Sequence, residues 1–237
     1  MSKKKTLHVY SCCDVATPLK ISGKRFQQIY NAEIKYNIGM PNEIIPIITD
    51  NYEGDIFTCG AAYIVDELEK CGLTLRKNRR VLGYRKSVIL TQKDNPKKIK
   101  SLIDLTKKDI KIAVATVGSL KGVWDEISSK MGLTEKIQKN ITLFADGCGE
   151  LLGSIIRKKV DAAIGWNTYK VLHKKAVDAV ELPKEIQVYR STVIATTPFS
   201  KNKEMASKFI NFLTSKEGKK IYLNYGWITD KYSFETP

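Results

Sequence analysis

Leu7-His8-Val9-Tyr10-Ser11-Cys12-Cys13-Asp14-Val15-Ala16 opens as an apolar, β-rich run and ends in small polar residues. A helical pattern follows from Ala16 to about Tyr30, with Leu19, Phe26 and Ile29 as its expected buried stripe. A strand that stops in front of a helix leaves the helix's first N–H groups pointing at open space. In open α/β sheets, ligands sit beyond the carboxyl ends of the strands. Two adjacent cysteines and an aspartate stand at this stop, so a ligand is expected here.

The same grammar repeats along the chain. Glu33–Ile38 reads as a weak strand, and Gly39-Met40-Pro41-Asn42 as a turn. Pro46 leaves the type of 43–50 open. Glu53–Gly60 is expected to be a buried strand ending at Cys59-Gly60, and Ala61–Gly72 a helix stopped by Gly72. Further strands are expected at 79–90, 110–115, 141–144, 161–166, 186–189 and 192–195. Helices are expected at 99–105, 123–131, 149–158, 203–214 and 216–225. Alternation of this kind specifies an α/β fold with mostly parallel sheets covered on both faces. The long strands at 79–90 and 186–195 can carry the chain twice between two lobes, 1–83 plus 191–237 and 84–190. Lobes that close on a hinge would make a binding protein.

The 237 residues suffice for a full core. No apolar run reaches the ~18 residues of a membrane span. Met1-Ser2-Lys3-Lys4-Lys5 leads straight into a strand, so no leader is legible. The formal net charge of +15 admits an anionic partner, but the lysines are spread along the chain without interleaved aromatics. That argues for a solvated surface and against a nucleic-acid groove. Cysteines occur at 12, 13, 59, 71 and 148. The odd count and the absence of CxxC spacing indicate neither a disulfide framework nor a zinc ribbon.

Several phrases resemble the extracytoplasmic molybdate/tungstate-binding proteins of ABC transporters, within the type II solute-binding class. Gly54-Asp55-Ile56-Phe57-Thr58-Cys59-Gly60 is similar to the family's Ala-Asp-Val-Phe-Ile-Ser-Ala. Asn95-Pro96 through Ile103-Asp104-Leu105 matches its Asn-Pro-x-x-Ile-x-x-Leu-x-Asp-Leu. Val160-Asp161-Ala162-Ala163-Ile164-Gly165-Trp166 resembles its Ala-Asp-Ala-Gly-Ile-Val-Tyr region, and Phe209 to Gly218 its closing helix pair. The resemblance implies a two-lobed type II periplasmic-binding-protein fold with two hinge crossings. It implies a monomer outside the cytoplasm, its native signal sequence removed, that hands a small inorganic ligand to an ABC permease. It implies no resident cofactor and no nucleic acid, and a membrane only through an N-terminal lipid anchor, should the native chain carry one.

The family holds a dehydrated oxyanion with neutral donors. Carried over, the resemblance points to Cys12, Cys13, Asp14, Gly39, Met40, Cys59, Gly60, Ser119, Leu120, Lys121, Gly147, Cys148 and Trp166 as the ligand-binding set. This sequence departs from the pattern where it matters. Asp14 stands for a serine, and a carboxylate repels an oxyanion. Cys59 and Cys148 stand at two further strand ends, and Trp166 replaces a tyrosine. Cys13, Asp14, Cys59 and Cys148 are therefore an alternative set for a thiophilic metal ion, metal complex or metal–sulfur species. Small core cysteines are the bland alternative to both. A cysteine-dependent enzyme is a third reading, but it needs a base, and His8 and His173 show no pairing. Trp124 and Trp227 read as packing residues, Cys71 as structural, and Asp146 as a ligand or a helix cap.

Overall fold

The computed structural model describes residues 4–230. Met1-Ser2-Lys3, expected to lead straight into a strand, lies outside the described residues. The chain divides into two compact units. Unit 1 takes the chain up to Tyr84 and again from Ser191, and unit 2 is Arg85–Arg190.

Unit 1 opens with β1 (Lys5–Cys12), a 3-10 turn at Cys13–Val15 and α1 (Ala16–Ile29). Then come β2 (Ala32–Gly39), α2 (Pro41–Asn51), β3 (Ile56–Cys59) and α3 (Ala62–Lys70). The chain leaves along β4 (Arg80–Gln92), returns along β9 (Tyr189–Thr196) and finishes with α8 (Lys203–Thr214) and α9 (Lys216–Asn224). The sheet order is β2-β1-β3-β9. β1 is parallel to β2 and to β3, and β9 runs antiparallel to β3. β1 is central, with Leu7, Val9 and Tyr10 fully buried, which is why its sequence reads as an apolar run rather than an alternation.

The register carries the functional geometry. Cys12 pairs with Gly39 across β1–β2, and Ser11 with Thr58 across β1–β3. The carboxyl ends of three parallel strands therefore share one sheet edge, occupied by Cys12-Cys13-Asp14, Gly39-Met40 and Cys59-Gly60.

The α1 stripe differs from expectation at one place. Leu19 and Phe26 are fully buried, but Ile29 is 47% exposed. The stripe runs instead through Pro18, Leu19, Ser22, Gly23 and Phe26, and Phe26 packs on Phe209 of α8 with ring centroids 5.0 Å apart. Residues 43–50 are helical despite Pro46. Ile44 and Ile48, four residues apart, bury one face of α2. Two such side chains contribute about 1.5–3 kcal/mol each, enough to offset the hydrogen bond that the proline removes.

The C-terminal phrase has a plain physical role. Ser215 Oγ caps α9 by accepting the Gly218 N–H at 3.3 Å. A Cβ on Gly218 would stand 2.3 Å from the carbonyl oxygens of Phe212 and Leu213. Beyond α9, the Trp227 indole is buried and donates to Thr192 Oγ1 at 2.8 Å. Ile228 exchanges backbone hydrogen bonds with Tyr84 at 2.7 and 2.8 Å. This pairing ties the start of β4 to unit 1.

Unit 2 has the sheet order β8-β4-β7-β5-β6. β5 (Ile112–Ala115), β6 (Ile141–Ala145) and β7 (Ala162–Trp166) are parallel, while β4 runs antiparallel to β7 and to β8 (Val177–Glu181). The helices are α4 (Val123–Ser129), α5 (Thr134–Gln138), α6 (Cys148–Ile156) and α7 (Asn167–Leu172). α5, α7 and β8 did not stand out in the sequence. Helices of five or six residues stop short of two turns, too few for an i, i+3, i+4, i+7 pattern, and β8 has only five residues.

Two expected elements take other forms. The stretch 99–105 holds a 3-10 turn, Leu102–Thr106, instead of an α-helix. Asn95 folds the preceding loop, donating to the Ile99 carbonyl at 2.7 Å and accepting the Ile99 N–H at 3.0 Å. The expected strand at 186–189 is a 3-10 turn, Lys184–Ile186, before β9 begins at Tyr189. The Val188 N–H there bonds the Ser87 hydroxyl at 2.8 Å rather than a strand partner.

Candidate functional site

In unit 1, the Cys12 and Cys59 sulfurs lie 3.1 Å apart, with the residues only 3% and 2% exposed. The Ala61 N–H donates to Cys59 Sγ at 3.4 Å. The hydrogen bond to Cys59, then burial, pushes the Cys12 thiol well above its ordinary range. Cys13 is exposed and turns to Met40, Sγ to Sδ 3.7 Å. Burial of its sulfur and then the Asp14 charge push this thiol up as well. Asp14 is half-buried in the 3-10 turn. Met40 precedes α2, and its N–H donates to Glu43 Oε2 at 2.7 Å.

In unit 2, Trp166 ends β7 fully buried. Its indole N–H donates to Ser119 Oγ at 3.0 Å, and Ser119 Oγ lies 3.6 Å from Cys148 Sγ. Ser119 belongs to a 3-10 turn, Gly118–Leu120, just after β5. Cys148 opens α6 after Gly147, whose φ of +102° suits a residue without a side chain. The first-turn N–H groups of α6 have no acceptor within the helix. Leu120 belongs to the apolar core of unit 2, so its side chain packs there, and only its backbone can serve a ligand. Lys121 is exposed.

Arg85 was not among the expected residues. It is completely buried, and its guanidinium carbon lies 5.0 Å from the centre of the Trp166 ring. The pairing of Ser87 with Trp166 places Arg85 beyond the carboxyl end of β7, on the edge that Ser119 and Cys148 occupy. In the sequence it is one basic residue among 40. It stands two residues before Ser87–Thr91, which β4 buries without a break.

Within its own unit, each cysteine of the expected metal set has a near partner. Cys59 pairs with Cys12, Cys13 with Met40 and Cys148 with Ser119. Among the described residues, no group of three or more His, Cys, Asp or Glu side chains is arranged to hold a metal ion. Asp146 is exposed, and its N–H donates to Glu150 Oε2 at 2.6 Å. Gly147, not Asp146, is the residue that caps α6. Cys71 is exposed at the end of α3.

The match to the family model for bacterial extracellular solute-binding proteins runs from residue 7 to residue 228. The chain belongs to this family. Its members are substrate-binding components of ABC importers that work outside the cytoplasm. Among curated relatives, a putative ABC transporter substrate-binding lipoprotein, YvgL of Bacillus subtilis, is 22% identical over 96% of this chain and 88% of its own. The sulfate-binding protein of Synechococcus elongatus is 22% identical over 76% of this chain, which covers 59% of that protein's length. Among solved structures, PEB3 with bound L-phospholactate is 25% identical, with a TM-score of 0.81 over 94% of this chain and 99% of that one. The periplasmic molybdate-binding protein of Azotobacter vinelandii has a TM-score of 0.81 at 13% identity, over 95% and 100%. These neighbours are type II periplasmic binding proteins and share this fold. Among the described residues, no helix is long and apolar enough to cross a membrane.

Proposed function

We propose that this family member captures a small dianion for an ABC permease, and that the strand-end edge of unit 2 supplies its charge recognition. The observation that carries the reading is the linked arrangement of Arg85, Trp166, Ser119 and Cys148. A buried guanidinium over an indole gives a fixed positive field in low dielectric. The indole N–H fills an acceptor site of the Ser119 hydroxyl and thereby orients it. Neutral donors and helix-start amides then meet the anion without needing to reorganise.

A molybdate- or tungstate-type oxyanion is the ligand class that the sequence resemblance suggested. The sulfate-binding relative supports a tetrahedral dianion. PEB3 with L-phospholactate supports an organic phosphate as a larger variant. Against a thiophilic metal stand the partners that Cys59, Cys13 and Cys148 have inside their own units: Cys12, Met40 and Ser119.

Calorimetric titration of metal-free protein with molybdate, tungstate, sulfate and L-phospholactate tests the reading. Saturable one-to-one uptake of at least one of them supports it. Silence with all four, together with stoichiometric uptake of zinc or cuprous ion, overturns it.

A further inference from the structure

Cys12 and Cys59 leave neighbouring parallel strands one step beyond the Ser11–Thr58 pair. Their sulfurs are 3.1 Å apart, about 1 Å longer than the ~2.05 Å of a disulfide bond. Neither sulfur is committed to a group that could hold a metal, among the described residues. Adjacent positions on paired strands also bring the Cα atoms within the reach that a disulfide needs.

We propose that Cys12 and Cys59 are a disulfide-forming pair, a covalent clamp between β1 and β3 at the strand-end edge of unit 1. The family works outside the cytoplasm, where oxidising equivalents reach protein thiols. The oxidant is an external disulfide. One cysteine thiolate attacks it, forming a mixed disulfide and releasing one thiolate. The second cysteine then attacks the protein-side sulfur, and the Cys12–Cys59 bond forms as the second thiolate leaves. The two cysteines lose two electrons and two protons in all, and the external disulfide becomes two thiols.

The clamp acts on two pieces of backbone at this edge. Cys12 precedes the 3-10 turn at 13–15, and Cys59 Sγ holds the Ala61 N–H at the start of α3. The closed loop joins residues 47 apart in sequence, so the bond removes much freedom from the unfolded chain.

The test is oxidation of the reduced, purified protein with excess oxidised glutathione. Expected are a mass lower by two hydrogens and a link between the tryptic peptides 6–20 and 36–70. The thermal midpoint should rise by about 5–10 °C, and a phosphine reductant should reverse all three changes. Cys13 shares a tryptic peptide with Cys12, so Cys13→Ser assigns the sulfur. The link should survive in Cys13→Ser and Cys71→Ser and vanish in Cys12→Ser and Cys59→Ser. The proposal is overturned if oxidised wild-type protein still alkylates at five cysteines after denaturation, or if Cys13→Ser abolishes the link. No anion takes part, so failure here leaves the dianion reading standing.

Discussion

The Trp166 indole N–H donates a hydrogen bond to the Ser119 hydroxyl at 3.0 Å, with both residues buried, one ending β7 and the other in the turn after β5. Ser119→Ala removes that acceptor and leaves a buried N–H without its partner. Such a loss costs about 1–3 kcal/mol. Urea unfolding should show a lower midpoint with an unchanged slope. The same variant should weaken dianion binding tenfold or more, read by calorimetry.

The Arg85 guanidinium carbon lies over the Trp166 ring, 5.0 Å from its centre. Arg85→Lys keeps the charge but loses the planar contact and the fork of donors. Dianion affinity should fall about tenfold or more, while an uncharged solute shows no binding to either protein. Unchanged affinity would remove Arg85 from the recognition proposed here.

The thiols should separate by accessibility. In fully reduced native protein, an alkylating reagent at neutral pH should modify Cys13 and Cys71, the two exposed cysteines, and spare Cys12, Cys59 and Cys148. Cys12 is held protonated by its bond to Cys59 and by burial. Its labelling should therefore need alkaline pH as well as opening of the sheet edge. Peptide mapping after timed alkylation reads the order.

Asp104 ties the 3-10 turn at 102–106. It accepts the N–H groups of Lys100 and Ser101 at 2.8 and 3.0 Å, and Lys107 Nζ lies 2.7 Å away. The Lys107 ammonium, then the Lys100 amide, lower its carboxyl pKa from 3.8 to about 2. A carboxyl lowered on folding stabilises the fold fully above its unfolded pKa. That contribution is lost as pH falls from about 4 toward 2. Asp104→Ala should cost about 1–2 kcal/mol at neutral pH, and the gap to wild type should shrink across that acid window in denaturant titrations.

The order of strands and helices was legible because long strands and amphipathic helices carry their period in the sequence. Leu7 to Tyr10 could be read as a buried parallel strand, and Lys203–Thr214 as a helix. What escaped was short or held by side chains. α7 is six residues long, and the start of β9 is displaced by the Ser87 hydroxyl bonding Val188. The candidate residues were legible as strand ends, which follows from parallel register alone. Their pairing was not. Nothing in the spacing says that Cys59 meets Cys12 rather than Cys13. The place of Arg85 emerges only when the antiparallel register of β4 on β7 is known.

The most direct measurement is calorimetric titration of wild-type and Ser119→Ala protein, both freed of metal, with molybdate, tungstate and sulfate. One-to-one binding of at least one dianion to wild type, weakened tenfold or more in the variant, is the expected result. Equal binding by both proteins, or no dianion bound while a soft metal ion binds through cysteine, would contradict it.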